Sequence, residues 1–139
     1  MNNFSHFHPD AFAIFTKDVV DEINAVMEKH FYVIKEMQKD PDFNKRINEV
    51  LNSTETSLEL LLEARKRKQI YFNLAEQKGK CPETLKAEEE MLEAYYALMI
   101  DERGLEKLEH ISENPFKLEK YENQFKSHKE EKEPENEIQ

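Results

Sequence analysis

Apolar side chains recur at steps of three and four residues through most of this chain, and that spacing constrains the fold most. Such steps place side chains on one face of an α-helix, whereas a half-buried strand would alternate apolar and polar residues. No segment of the chain alternates in that way, so we predict an all-α fold. The first run consists of Phe12, Phe15, Val19, Ile23 and Val26.

Proline and glycine indicate where the predicted helices begin and end. Pro9 suits the first position of a helix that runs to residue 39, because its fixed φ is already helical. The pair Asp40-Pro41 opens a second helix, with Asp40 as the N-cap. Gly79 closes this helix, since glycine takes left-handed backbone conformations freely, and Pro82 opens a third.

Two breaks are predicted inside the long helices. Residues 52–57 are polar side chains that compete for backbone hydrogen bonds and weaken a helix interior. Thr56 and Glu59 also have the spacing of a capping box, which favours a new helix start. We therefore expect a kink or break near residue 54. Gly104 predicts a stop or hinge after the third helix.

The helices together predict an antiparallel helical bundle built on a long hairpin that turns at residues 79–82. A short C-terminal helix follows Asn114-Pro115. We divide the chain into a flexible N-terminus (1–8), a single bundle domain (9–127) and a disordered, acidic tail (128–139). The residues predicted to be buried are Phe15, Val19, Ile23, Leu61, Leu92, Tyr95 and Met99.

Composition excludes several classes of protein. Asp and Glu total 30 against 20 Lys and Arg, a net charge of −10, and such a chain is unsuited to contacting nucleic-acid phosphates directly. A single cysteine, Cys81, excludes an intrachain disulfide. It lies at a predicted helix start, where a thiol pKa can fall, but no basic partner is identifiable. We predict a cytoplasmic protein with no catalytic residue, metal or cofactor and no contact with a membrane.

Basic and acidic side chains are concentrated in different parts of the sequence, and two such runs are candidate interaction residues. Residues 41–80 carry 8 basic and 6 acidic side chains, whereas residues 81–112 carry 3 and 9. In the predicted hairpin the basic and acidic runs face each other, with Lys68 opposite Glu93. The basic run either pairs within the chain or forms a docking patch for an acidic partner or RNA. The runs are Arg65, Lys66, Arg67 and Lys68, and Glu88, Glu89, Glu90 and Glu93.

Aromatic side chains near the C-terminus suggest a further interaction surface, formed by Phe116, Tyr121 and Phe125. Aromatic residues are enriched where proteins bind one another. We therefore predict a non-catalytic protein-protein interaction protein: a helical adaptor, chaperone, inhibitor or regulator, forming a homodimer or binding a partner of unknown identity. The alternative is an acidic mimic of nucleic acid, which blocks a DNA- or RNA-binding protein.

Arg103 and His110 are separated by six residues, and this spacing resembles the motif of the HEPN-type ribonucleases. Those proteins are small helical bundles, often dimers, that cleave RNA through its 2′-hydroxyl group. The resemblance implies a second alternative, in which Arg103 and His110 share one helix face and cleave RNA.

Overall fold

The computed structural model describes residues 16–104 and 116–118, and their secondary structure is entirely helical. No strand occurs in these two ranges, which confirms the all-α prediction. Residues 102–104 are also helical. The five main helices of these ranges are α1 (Lys17–Lys29), α2 (Phe31–Met37), α3 (Phe43–Asn52), α4 (Ser57–Lys78) and α5 (Pro82–Ile100).

The single helix predicted from residue 9 to residue 39 is wrong. Thr16 is the N-cap of α1, and its hydroxyl accepts a hydrogen bond from the Val19 N–H at 3.4 Å. His30, at φ −111° and ψ 24°, separates α1 from α2. The three- and four-residue spacing continues across His30, so it could not reveal this break.

The start of α3 lies two residues beyond its predicted position. The Asp40 carboxylate accepts a hydrogen bond from the Asp42 N–H at 2.9 Å, and this turn delays the helix until Phe43. Asp42, rather than Asp40, is therefore the N-cap. The pair Asp40-Pro41 does precede a helix, but it forms the turn before that helix and not its first residues.

The predicted break near residue 54 is confirmed, because α3 ends at Asn52 and α4 begins at Ser57. The Thr56 hydroxyl accepts from the Glu59 N–H at 3.1 Å. The Glu59 carboxylate accepts in turn from the Glu55 N–H at 3.2 Å, one residue earlier than an ideal capping box would place it.

The link between α4 and α5 also follows the prediction. Gly79 has φ 66° and closes α4, and Pro82 occupies the first turn of α5. At the other end of α5, the helix ends at Ile100 and Asp101 is the C-cap, where the apolar pattern also breaks; the predicted stop at Gly104 borders residues outside the described ranges. Asp101 is extended, with ψ 109°, because its side chain turns inward to bonds described below.

Helix α5 is the centre of the core and packs against all four other helices. From Met91 to Ile100 its side chains are buried or half-buried on every side, as the apolar run from Ala94 to Ile100 predicted. Met99 is only partly buried, and Phe15 lies outside the described residues. The predicted core residues that prove to be buried are Val19, Ile23, Leu61, Leu92 and Tyr95.

The far C-terminal part contributes one short stretch to this core. Phe116 and Leu118 are buried, and the Lys117 N–H donates to Asn24 Oδ1 of α1 at 3.0 Å. The predicted flexible N-terminus and charged tail lie outside the described residues. In the ranges that the structure describes, no helix is both long and apolar enough to cross a membrane.

Candidate functional site

Two arginines of the basic run are engaged within the chain. Arg65 Nη2 lies 2.7 Å from Glu22 Oε1 on α1. Arg67 Nε lies 2.9 Å from Glu63 Oε2 one turn away, and its Nη1 donates to the Glu90 carbonyl oxygen of α5 at 3.0 Å. These bonds hold both guanidinium groups close to the helices, so the arginines help to fix α4 against its neighbours.

The two lysines of the run differ from each other. Lys68 Nζ lies 6.0 Å from the centre of the Tyr95 ring, at the outer limit of a cation–π contact. Lys66 points to solvent and forms no ion pair within the described part of the chain. Lys66 is therefore the freest cation of the four predicted interaction residues in this run.

Two glutamates of the acidic run are likewise engaged. Glu93 Oε2 accepts from Arg46 Nε of α3 at 2.8 Å, so it pairs with Arg46 and not with Lys68 as expected. Glu88 Oε2 lies 2.6 Å from His30 Nδ1, within hydrogen-bond distance. The side chains of Glu89 and Glu90 have no ion pair among the described residues.

Helix α1 contacts both α4 and α5 through side chains near its start and near its end. Near its start, Glu22 bonds Arg65 of α4 and accepts from the Tyr95 hydroxyl of α5 at 2.7 Å. Near its end, His30 meets the Tyr71 ring edge-on at 5.8 Å and bonds Glu88. Helix α1 therefore fills a trough between α4 and α5 and leaves it at His30.

Burial and hydrogen bonding set the titration of the groups beneath α1. Burial alone would raise the pKa of Glu22, but hydrogen bonds from Arg65 and Tyr95 outweigh it, and the net pKa is lowered. Burial raises the pKa of Tyr95, and the bond to the Glu22 carboxylate raises it further. Glu22 is thus held as a carboxylate and Tyr95 as a neutral phenol, the states that their mutual hydrogen bond requires.

Beyond His30 the same trough continues to the α4–α5 link, and within residues 16–104 and 116–118 no helix lies in it. This open trough has a volume of about 740 Å³. Val33 of α2 closes one side, where the chain turns away after α1. The residues that line the open trough are Val33, Tyr71, Ala75, Gly79, Lys80, Cys81, Pro82, Thr84, Leu85 and Glu88.

Three of the residues in the walls of the open trough are bonded to one another through polar atoms. The Thr84 hydroxyl donates to the Gly79 carbonyl oxygen at 2.7 Å, and Cys81 Sγ lies 3.2 Å from the same hydroxyl. Hydrogen bonding to Thr84 lowers the pKa of the Cys81 thiol. Burial raises the pKa of Tyr71, with a smaller contribution from Glu88. The surface left for a ligand is therefore mainly apolar.

Large apolar side chains near the open trough are exposed. Leu85, on its rim, is 49% exposed, and Phe72, which contacts the Tyr71 ring, is 41% exposed. Leu85 continues the apolar stripe of Leu92, which is fully buried. Sequence reasoning missed this site because the stripe looks the same whether or not another helix covers it.

A second, more polar cavity of about 480 Å³ lies beside Asp101, between α3 and the end of α5. Asp101 is 2% exposed and accepts from the Ser57 hydroxyl at 2.8 Å and from Arg103 Nε at 2.8 Å. Arg103 Nη1 also donates to the Thr54 carbonyl oxygen at 2.8 Å. This cluster ties the loop before α4 to the end of α5. The predicted ribonuclease pair remains a prediction, because His110 lies outside the described residues.

The predicted aromatic interaction surface is only partly described. Phe116 is 9% exposed and belongs to the core, so it offers no free surface in this structure. Tyr121 and Phe125 lie outside the described residues. Among the residues that the structure covers, no three His, Cys, Asp or Glu side chains are grouped so that they could hold a metal ion.

Comparison with known protein families, with curated proteins and with solved structures found no match. The open trough, the ion pairs and the Asp101 cluster are therefore the features from which a function has to be argued.

Proposed function

We propose that this chain is a non-catalytic, cytoplasmic protein that works by binding another protein. In this proposal its helices form an antiparallel bundle on the α4–α5 hairpin, and the open trough receives a helix from the partner. One observation supports the proposal: α1 already occupies the first part of the same trough, and the remainder is mainly apolar and is not covered by the part of the chain that the structure describes.

A trough that binds one helix has the shape to bind another. Helices of partner proteins commonly place an apolar face into such grooves, with contacts at three- and four-residue steps. Tyr71 and Ala75 of α4 and its C-cap Gly79 line the open trough at four-residue intervals. The methyl group of Ala75 and the missing side chain of Gly79 allow a second helix to approach closely.

Apolar contacts would supply most of the binding energy at this surface. Fully burying one leucine or phenylalanine side chain contributes roughly 1.5–3 kcal/mol. Leu85 and Phe72 are about half exposed, so covering both contributes roughly 2 kcal/mol before the apolar walls are counted. An exposed ion pair contributes only about 0.2–1 kcal/mol, so apolar contacts supply the larger share.

The nucleic-acid mimic is the less supported alternative. A mimic needs free carboxylates in an extended array, and Glu88 and Glu93 are bonded to His30 and Arg46. The ribonuclease alternative rests on the spacing of Arg103 and His110. It predicts RNA cleavage by the pure protein that His110→Ala abolishes.

The proposed binding mode is tested by capturing partners from the source cells with the tagged full chain. Three versions are compared: wild type, Leu85→Glu on the trough rim, and Leu62→Glu as the matched control. Leu62 is 56% exposed on α4 and does not line the open trough. We expect a partner that wild type and Leu62→Glu retain and that Leu85→Glu loses.

A salt series on the same capture separates the two protein-binding hypotheses. Apolar contacts in the trough should survive about 0.5 M salt, where exposed charges are screened within a few ångströms. A partner that dissociates steeply with salt, and that Leu85→Glu still binds, would favour the acidic mimic and contradict the trough.

A further inference from the structure

We infer that the open trough is occupied by a second copy of this chain, so that two copies associate through their α4–α5 links. Leu85 of each copy enters the open trough of the other. This inference rests on the proposed function, because it assigns a partner to the same surface.

The shape of the surface is complementary to itself. A hollow of about 740 Å³ and an exposed leucine, Leu85, lie side by side at one end of the molecule. A two-fold axis between two copies places the same patch against itself, so that one contact is made twice. Around such an axis, Leu85 of each copy can pack into the open trough of the other.

The dimensions of the two parts also agree. The open trough follows α4 from Tyr71 to Gly79. At the rise of an α-helix, this stretch is about 12 Å long. The first two turns of α5 begin at Pro82 and carry Leu85. Two helical turns extend for about 11 Å, so the start of α5 in one copy has the length to fill the open trough of the other.

Charge permits self-association at this end of the molecule. The chain has a net charge of −10, so two copies repel each other where their acidic surfaces meet. The stretch from Lys78 to Glu88 carries three lysines and two glutamates and is therefore close to neutral. A contact made at this end does not bring two acidic surfaces together.

Free charges of opposite sign also lie close to Leu85. Glu89 is one helical turn from Leu85, and Lys80 lines the open trough. Neither forms an ion pair in the part of the chain that the structure describes. A two-fold contact can bring Lys80 of one copy towards Glu89 of the other, and it does so twice. A partner with charges of one sign would leave one of these groups unmatched.

The test is the mass of the full chain in solution, measured by light scattering between about 1 and 100 µM, a range that spans ordinary dimer affinities. We expect a dimer for wild type and for Leu62→Glu, and a monomer for Leu85→Glu, whose dissociation constant should rise at least about tenfold. Circular dichroism checks that all three proteins retain their helices.

The single cysteine supplies a second, local measurement. Cys81 is partly exposed in the wall of the open trough. Its alkylation by iodoacetamide should slow as the wild-type concentration rises through the dissociation constant. In Leu85→Glu the rate should not depend on concentration.

Two results would overturn the inference: a wild-type monomer across the whole range, or a dimer that Leu85→Glu leaves intact with a constant Cys81 rate. A monomer that still captures a partner, and loses it on Leu85→Glu, would refute self-association and leave the proposed function standing. A monomer whose captured proteins are the same for wild type and Leu85→Glu would refute both.

Discussion

The two ends of the α4–α5 pair are both helical, but they differ in how far other helices pack against them. At the end that contains Ser57 and Leu98, which we call the covered end, α1 and α3 pack against α5, and the outer face of α4, with Leu62, stays exposed. At the link, which we call the open end, Leu85 and Phe72 remain about half exposed. Apolar residues occur at both ends, so composition does not distinguish them.

Helix length accounts for the difference. Helix α4 has 22 residues, whereas α1 has 13 residues. At the rise of an α-helix, α4 is about 33 Å long and α1 is about 20 Å long. A helix that runs beside α4 for only part of its length does not cover the rest, and after the break at His30 only Val33 of α2 lines the trough. Stability is therefore concentrated at the covered end, and surface for binding at the open end.

The largest expected effect comes from the covered part of α5. Leu92 is fully buried, so Leu92→Ala removes packed methyl groups and leaves a cavity. We expect a loss of about 2–5 kcal/mol in the free energy of unfolding, measured by urea titration with circular dichroism. A loss below about 0.5 kcal/mol would be typical of a surface site and would contradict the comparison.

The Asp101 cluster should be the next most sensitive part of the covered end. Asp101→Ala removes the acceptor of both Ser57 and Arg103. Because Arg103 remains partly solvated, we expect a loss of about 1–3 kcal/mol rather than the larger cost of a fully buried ion pair. Lys66→Ala, at an exposed side chain outside this cluster, is the control and should change the unfolding midpoint very little.

The link at the open end has its own sensitive residue. Gly79 has φ 66°, and a Cβ atom there would meet no atom within 4 Å, so the cost of Gly79→Ala is backbone strain alone. We expect a loss of about 1–2 kcal/mol. Lys80→Ala is the neighbouring control. An unchanged stability for Gly79→Ala would mean that the link can relax to a negative φ.

Some of this comparison could be predicted from the sequence and some could not. The Thr56 cap, Gly79 and Pro82 act on the backbone within a few residues, and their roles were predicted correctly. The partner of Glu93 and the break at His30 depend on side chains distant in the sequence, and so do the bonds that Asp101 makes. The open trough depends on the relative lengths of packed helices, which no local pattern contains.

Acid should weaken the contact of α1 with the covered end. The pKa of Glu22 is lower in the folded chain, so its stabilising contribution is present above the pKa of an unfolded glutamate, about 4.3, and is lost as pH falls through the folded value. At pH 7, Glu22→Gln should cost about 1 kcal/mol or less. The difference between the two proteins should shrink below about pH 4.3. A difference that stays constant to pH 2 would contradict this.

The smallest expected effect is at Leu85, and it is the most informative for function. Its side chain is 49% exposed, and α1–α3 do not cover it as they cover Leu92. We therefore expect Leu85→Ala to change the free energy of unfolding by less than about 0.5 kcal/mol when measured at about 1 µM or below, where association is weakest.

A series of higher protein concentrations tests whether Leu85 takes part in association, because anything that binds only the folded state stabilises it by mass action. Wild type should then gain stability with concentration, and Leu85→Ala should gain less. If Leu85→Ala instead loses as much stability as Leu92→Ala at low concentration, Leu85 belongs to the core and the two ends of the α4–α5 pair are alike. A small effect at every concentration would agree with an exposed Leu85 but would contradict its role in association.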